Sequence, residues 1–152
     1  MPDSFSYAHT WADLGTDELY AFLKLRTDVF FVEQRIDETE LDDRDREAAT
    51  RHYWISDDIG TAAYLRTLVD DEPTYLDARR LIGRVVVRAD RRGEGLARRL
   101  LDEVISRDGH EALLLHSQEY IAPLYARHGF EPFGEVYQEA GIAHISMYRA
   151  AR

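Results

Sequence analysis

The sequence predicts an α+β fold of mixed α/β character, with a central mixed sheet of about six or seven strands and three or four helices. Short apolar or alternating runs typical of strands recur along the chain, and segments with helical spacing separate several of them. Some neighbouring runs are joined by short turns, which indicates hairpins, and one pair flanks a helix, which indicates a parallel pair. At 152 residues the chain can bury one substantial core, so we expect a single domain over residues 1–152.

The N-terminal region predicts one strand and one long helix. Aromatic residues and His9 alternate with small or polar residues over Phe5–Trp11, which favours a strand. Apolar residues then recur at three- and four-residue steps until about Phe31, and Thr16 or Asp17 can cap this helix. Arg26 interrupts the row of apolar side chains on the helix.

The following region predicts a polar loop and then a hairpin. Asp37–Thr50 shows no clear period, so we expect a loop that contains at most a short helix. His52–Ile55 and Ala62–Val69 are typical of strands, and Asp57–Gly60 between them has the composition of a turn.

The remaining chain predicts a strand–helix–strand unit, a short helix and a final hairpin. The strand around residue 114 is wholly apolar, so we expect it to be covered on both faces. The predicted strands are Leu81–Arg88, Ala112–His116, Phe133–Tyr137 and His144–Arg149, and the predicted helices are Gly95–Arg107 and Ile121–Arg127.

A glycine turn between the central strand and the next helix predicts an anion site. Its sequence is Arg92-Gly93-Glu94-Gly95-Leu96-Ala97, which fits the pattern R-x-x-G-x-G/A. The first N–H groups of a helix have no partner within it, and glycine lets the backbone come close to a bulky phosphate. A structural turn with solvated arginines is the alternative.

The charge distribution agrees with an anionic ligand at this turn. Residues 79–107 contain nine arginines and four acids, whereas residues 37–47 contain seven acids and two arginines. The acidic run suits a cationic amine or is simply a solvated loop, and the solvated loop is favoured. The net charge of −10 argues against nucleic-acid and anionic-membrane partners.

The composition also limits the chemistry and the compartment. There is no cysteine, which excludes disulfides, a thiolate nucleophile and cysteine-based zinc sites. The histidines lack the spacing of a metal site, so no metal is expected. No apolar run has the length of a membrane span and the start is not leader-like, so we expect a cytoplasmic protein.

Several motifs resemble those of one enzyme family. The glycine turn is similar to the acetyl-CoA signature of the GNAT N-acetyltransferases, and Tyr125–Phe130 resembles their Tyr-x-x-x-Gly-Phe signature. Leu25–Gln34 and Val136–Met147 resemble the L-R-x-x-V-F-x-V-E-Q and V-Y-x-E-x-G-I-x-H-I-x-M segments of the ElaA-like subfamily. Arg35-Ile36-Asp37 stands where the subfamily commonly has C-P-Y, so the acceptor is expected to differ if this segment lines its cleft.

The resemblance implies the GNAT acyl-CoA N-acyltransferase fold and acetyl-CoA as cofactor. In this family the turn holds the pyrophosphate, and the pantetheine arm lies along the central strand, which splays from the next one. The cofactor-binding residues implied are Val85, Val86, Val87, Arg92, Gly93, Glu94, Gly95, Leu96, Ala97 and Arg98.

The resemblance also implies the catalytic groups. Tyr125 matches the tyrosine that protonates the departing thiolate, and a packed core tyrosine is the alternative. His144 is the first candidate for the base, because an imidazole accepts a proton near neutrality, and a structural strand-end histidine is equally open. Glu33, acting through water, is the second candidate. The acceptor-binding candidates are Arg26, Phe30, Gln118 and His52, whereas the remaining histidines are interpreted as structural or surface residues.

The expected reaction is direct acetyl transfer to a primary amine of a small molecule or peptide. Two other functions remain open at this point: a catalytically silent CoA-binding or partner-binding module, and an acyltransferase with a longer donor, as in acyl-homoserine-lactone synthesis. Dimers are common in the family, so a homodimer is also open.

Overall fold

Seven strands form one sheet in the computed structural model, which describes residues 2–152. In chain order the strands are β1 (Ser4–His9), β2 (Arg51–Ser56), β3 (Thr61–Val69), β4 (Arg80–Val87), β5 (Leu113–Gln118), β6 (Glu131–Glu139) and β7 (Ile142–Arg149). Their spatial order is β1-β2-β3-β4-β5-β7-β6, and all neighbours are antiparallel except β4 and β5. This mixed sheet with one parallel pair confirms the predicted fold class.

Three helices accompany the sheet. They are α1 (Thr16–Arg26), α2 (Leu96–Asp108) and α3 (Ala122–Ala126). Short 3₁₀ turns lie at Trp11–Asp13, Arg44–Arg46, Ala89–Arg91 and Glu119–Ile121.

The first strand and the first helix differ from their predicted form. β1 ends at His9, because the chain turns at Trp11–Asp13 instead of remaining extended. The residue before α1 is Gly15, and no side chain caps the helix, so the prediction of a Thr16 or Asp17 cap is wrong. After Arg26 the helix continues as a π-helix over Thr27–Glu33, whose wider turns change the face on which the next side chains lie.

Apolar side chains cover both faces of the sheet. On one face α2 and α3 pack Leu100, Val104 and Tyr125 against the sheet residues Leu113 and Met147. On the other face α1 packs against β2, β3 and β4. The prediction that the apolar strand β5 is covered on both faces is confirmed. Leu113 and Leu115 pack in the first cluster, whereas Leu114 packs in a third cluster with residues near positions 75–81, 133 and 148.

The two parallel strands part soon after they meet. Arg80–Ile82 of β4 pairs in register with Leu113–Leu115 of β5. Beyond these residues β4 continues to Val87 and β5 to Gln118, but the two strands no longer pair with each other. β4 also bulges between Gly83 and Val86 against β3, where Arg84 has a φ of +53°. The divergence leaves an opening in the middle of the sheet.

Candidate active site

The opening between β4 and β5 is a cleft of about 830 Å³. One side is formed by β4 residues 83–87 and the other by β5 residues 116–118. The end of the π-helix and the polar segment after it lie across the opening, and Tyr125 of α3 also lines it. This volume is within the range of small-molecule sites, roughly 300–1,000 Å³.

The predicted glycine turn lies at the edge of this cleft. Gly93 and Gly95 have φ of +86° and +78°, a left-handed conformation that other residues adopt only with strain. No side chain caps α2, and Arg99 N–H donates to the carbonyl of Gly95 at 3.1 Å. The N–H groups of the first helical residues therefore have no partner within α2 and are available to an anion.

The predicted cofactor residues divide into two groups. Those that line the cleft are Val85, Val86, Val87, Arg92, Gly93 and Ala97. Gly95 and Arg98 lie outside the lining, and Glu94 forms an ion pair with Arg91 at 2.8 Å in a separate surface recess. Leu96 is 4% exposed and its side chain packs in the core, so any cofactor contact of this residue is left to its main chain.

Arg92 and Glu33 bind each other. The two Nη atoms of Arg92 lie 2.7 and 2.8 Å from the two carboxylate oxygens of Glu33, and Arg92 Nε donates to the carbonyl of Val87 at 3.2 Å. The hydrogen bonds and charge of Arg92 lower the pKa of Glu33. A lower pKa makes Glu33 a weaker base, which disfavours its predicted second place among the bases.

Tyr125 is both a packed residue and a cleft residue. It is 5% exposed, and its ring meets Phe130 edge-on at a centroid distance of 6.0 Å. Burial raises the pKa of Tyr125, so its phenol stays neutral at physiological pH. A neutral phenol that lines the cleft can donate a hydrogen bond there.

His144 of β7 also combines burial with access to the cleft. Its side chain is 10% exposed, and Nδ1 lies 2.7 Å from the carbonyl oxygen of Ile142. A carbonyl only accepts hydrogen bonds, so Nδ1 carries the proton and the neutral ring has its lone pair on Nε2. Nε2 lies 3.5 Å from a carboxylate oxygen of Glu139, and the ring stacks on Tyr137.

A second histidine, His116, also lines the same cleft, although the sequence interpretation gave it only a structural or surface role. The residue is exposed, and its position in the cleft is the feature that the sequence interpretation missed. β5 extends to Gln118, and residues two apart on a strand share a face, so His116 and Gln118 lie on one side. His116 Nδ1 is 2.8 Å from Ser146 Oγ of β7, and desolvation lowers the pKa of His116. Gln118 is a predicted acceptor-binding residue, so its two-residue spacing from His116 was the signal that could have identified His116 as a cleft residue.

The four acceptor-binding candidates do not lie together. Phe30 and Gln118 line the cleft, and Gln118 Nε2 donates to Gln34 Oε1 at 3.0 Å. Arg26 and His52 are 0% exposed and outside the lining, so the structure does not support their predicted contact with substrate.

Arg26 and His52 instead belong to a buried polar network. Arg26 forms ion pairs with Glu40 at 2.6 Å and with Asp45 at 2.8 Å. His52 bonds through Nδ1 to the Tyr64 hydroxyl at 2.7 Å and through Nε2 to the Asp45 carbonyl at 3.0 Å. The acidic segment therefore folds inward onto α1, which removes both residues from the surface.

Much of the acidic run is used in this way. Asp42 pairs with Arg66, Asp45 pairs with Arg66 at 2.8 Å, and Glu40 pairs with Arg84 at 2.8 Å. Burial opposes ionisation of Asp42, but its hydrogen bond to Arg66 and the arginine charges outweigh burial and lower the pKa of Asp42 to about 2. These ion pairs fix the segment as a wall of the cleft.

Residues 2–152 offer neither a metal-binding cluster nor a helix that could cross a membrane. They contain no group of three or more His, Cys, Asp or Glu side chains that could hold a metal ion. In that same range no helix has the length and apolar character needed to cross a membrane.

Comparisons with known proteins agree with the geometry of the cleft. Residues 30–150 match the family model described as an acetyltransferase (GNAT) domain. The UPF0039 protein Rv2851c of Mycobacterium tuberculosis is 37% identical over 91% of this chain and 89% of its own. The crystal structure of Escherichia coli ElaA has a TM-score of 0.87 at 31% identity, covering 97% of this chain and 99% of that one.

A crystal structure from Pseudomonas aeruginosa, described as an acyl-CoA N-acyltransferase, has a TM-score of 0.83 at 37% identity. It covers 97% of this chain and 100% of that chain. The fold is thus the GNAT acyl-CoA N-acyltransferase fold, and it supports acyltransferase chemistry with an acyl-CoA donor. The predicted resemblance is confirmed: this chain belongs to the GNAT acetyltransferase family, among the relatives of ElaA.

Proposed function

We propose that this chain is an acetyl-CoA-dependent N-acetyltransferase that moves the acetyl group directly to a primary amine. The observation that supports this most is that one cleft joins a helix start with unpaired N–H groups, the unpaired end of β4, a buried phenol and a buried imidazole. These four features correspond to the four tasks of the reaction: holding the donor, polarising its carbonyl, stabilising the leaving sulfur and accepting a proton.

Main-chain groups hold the donor in this proposal. The free N–H groups at the start of α2 bind the pyrophosphate, because they are unpaired and the helix dipole is positive there. Residues 83–87 of β4 lack a partner strand on the side of β5, so their N–H and C=O groups bind the pantetheine amides and polarise the thioester carbonyl. Coenzyme A supplies the activated thioester.

Two side chains handle the protons. His144 Nε2 accepts a proton from the acceptor ammonium, and the free amine then forms a C–N bond with the acetyl carbon. As the C–S bond breaks, the Tyr125 hydroxyl protonates the leaving sulfur to give the thiol. The amine nitrogen then loses its second proton to the Tyr125 phenolate, which restores the phenol, while the first proton passes from His144 to solvent. The reaction releases one proton to solvent overall. Direct attack needs no nucleophilic side chain, and the chain has no cysteine.

The test is release of free thiol from acetyl-CoA with a panel of primary amines. We expect release that depends on the amine, and a kcat lower by about 10²-fold in Tyr125→Phe, as is typical for loss of an acid–base group. The affinity for acetyl-CoA should be unchanged in that variant. Tyr20→Phe is the matched control, because Tyr20 is 72% exposed and lies outside the cleft.

Two other results would each replace the proposal. Binding of acetyl-CoA with no thiol release under any amine would indicate a CoA-binding module. A series of acyl-CoA donors in which longer chains give the higher kcat/KM would indicate an acyltransferase of another donor class.

A further inference from the structure

We infer that the acceptor is a cationic amine without a carboxylate group, and that Glu139 holds its ammonium beside His144. This inference rests on the proposed function, since it names the class of acceptor for the same cleft. It follows from two independent observations, the charges of the cleft and the hydrogen-bonding state of His144.

The cleft offers an acceptor carboxylate no uncommitted cationic side chain among the described residues that line it. Its four lining arginines are each paired with carboxylates: Arg44 with Glu47 and Asp70, Arg66 with Asp42 and Asp45, Arg84 with Glu40, and Arg92 with Glu33. An amino-acid carboxylate that binds one of these arginines would have to compete with the carboxylate that the arginine already pairs with.

Two lining carboxylates remain outside these arginine pairs. They are Glu38 and Glu139, the last residue of β6, and both are exposed. An acceptor carboxylate in this cleft would face their charge without compensation, whereas an ammonium would be attracted.

The pair of Glu139 and His144 marks where the ammonium binds. Nδ1 of His144 is committed to the Ile142 carbonyl, so Nε2 is the ring nitrogen that faces the Glu139 carboxylate, at 3.5 Å. In the neutral ring, which is the form that acts as the proposed base, Nε2 and the carboxylate are two acceptors that face each other in the cleft, and the His144 side chain is nine-tenths buried. An ammonium supplies the donors that both groups need, and the same contact presents its proton to the proposed base.

The first experiment compares amino acids with the amines that differ from them only by the carboxylate. The pairs are lysine and cadaverine, tyrosine and tyramine, and histidine and histamine, each assayed by thiol release from acetyl-CoA. We expect each reactive amine to exceed its amino acid in kcat/KM by about 100-fold, because like charges brought together at a site cost several kcal/mol. Equal or higher kcat/KM for the amino acids would overturn the inference.

The second experiment tests Glu139 with a matched substitution. Glu139→Gln should raise the KM for the amines by about tenfold, change kcat much less, and reduce the discrimination against amino acids. Glu131→Gln is the control, because Glu131 is an exposed residue of β6 outside the cleft lining. Unchanged KM and discrimination in Glu139→Gln, with wild-type acetyl-CoA affinity, would refute its role.

Different results would contradict the proposed function and the inference about the acceptor. No thiol release with any acceptor would contradict the proposed function itself. Thiol release with amino acids as the better acceptors would leave acetyl transfer intact and overturn only the inference about the acceptor.

Discussion

Replacing Gly93 by valine tests the donor site directly. Gly93 has a φ of +86°, and a Cβ added there meets no atom within 4 Å, so the free protein has room for the side chain. The left-handed backbone costs a β-branched residue about 1–2 kcal/mol in the free energy of unfolding. The larger effect should be on binding, because the side chain would stand where a phosphate approaches the turn.

The size of that effect follows from the hydrogen bonds that would be lost. A hydrogen bond to a charged group is worth about 1.5–3 kcal/mol, so losing one such bond weakens binding by about 10- to 100-fold. Calorimetric titration with acetyl-CoA measures this change. S-acetylpantetheine lacks the pyrophosphate, so its KM should be the same in the variant and the wild type.

Gly134→Val separates the loss of binding from backbone strain. Gly134 lies on β6 with a φ of +71°, and a Cβ added there also meets nothing within 4 Å. Both variants should lose similar stability, but only the one at Gly93 should lose affinity. Wild-type affinity for acetyl-CoA in Gly93→Val, or an equal loss in Gly134→Val, would refute the assignment of the turn to the pyrophosphate.

Three further predictions concern the ion pairs. Asp45→Asn should lower the free energy of unfolding by about 3–5 kcal/mol, because it leaves Arg26 and Arg66 buried without the carboxylate that they share. Urea unfolding measures this loss, and a loss under about 1 kcal/mol would contradict the prediction. The pKa of Asp42 is about 2 in the folded protein and 3.8 ordinarily, so its ionisation contributes roughly 2 kcal/mol above pH 4, lost as the pH falls towards 2. Urea unfolding between pH 3 and 7 should therefore show a smaller acid loss in Asp42→Asn than in the wild type, and equal losses would argue against it. Glu33→Gln should free Arg92 and strengthen acetyl-CoA binding by about two- to fivefold, because exposed ion pairs are worth about 0.2–1 kcal/mol. The kcat should be unchanged, and a large fall in kcat would instead indicate that Glu33 acts as the base.

Local patterns in the sequence predicted the sheet, the helices and the glycine turn because each depends on neighbouring residues. Gly93 and Gly95 lie between an apolar strand and a helix with an apolar face, and both adopt the positive φ for which glycine is suited. The strand and helix boundaries were less accurate, as at β1, because tertiary contacts decide where an extended segment ends.

The misplaced site residues depend on contacts between distant segments. Arg26 looked like an exception on an apolar helix face, and nothing in the helix shows that Asp45, nineteen positions later, folds back to bury it. His116 follows three leucines, so the apolar run itself does not show its face, which only the two-residue spacing to Gln118 indicates. For Tyr125 and His144 the sequence analysis offered a structural role and a catalytic role as alternatives. In the structure both side chains are packed and also line the cleft, so the two roles do not exclude each other.

The parting of β4 and β5 also affects the mechanics of the enzyme. The two halves of the sheet, β1–β4 and β5–β7–β6, are joined in register only over Arg80–Ile82 and Leu113–Leu115 within the described chain. An acyl-CoA bound along β4 would stabilise this weak connection, because it would form hydrogen bonds with the main-chain groups of β4 that have no partner on the side of β5. We therefore expect donor binding to slow amide hydrogen exchange at Gly83–Val87 more than at β2, so the substrate would complete the sheet that it uses.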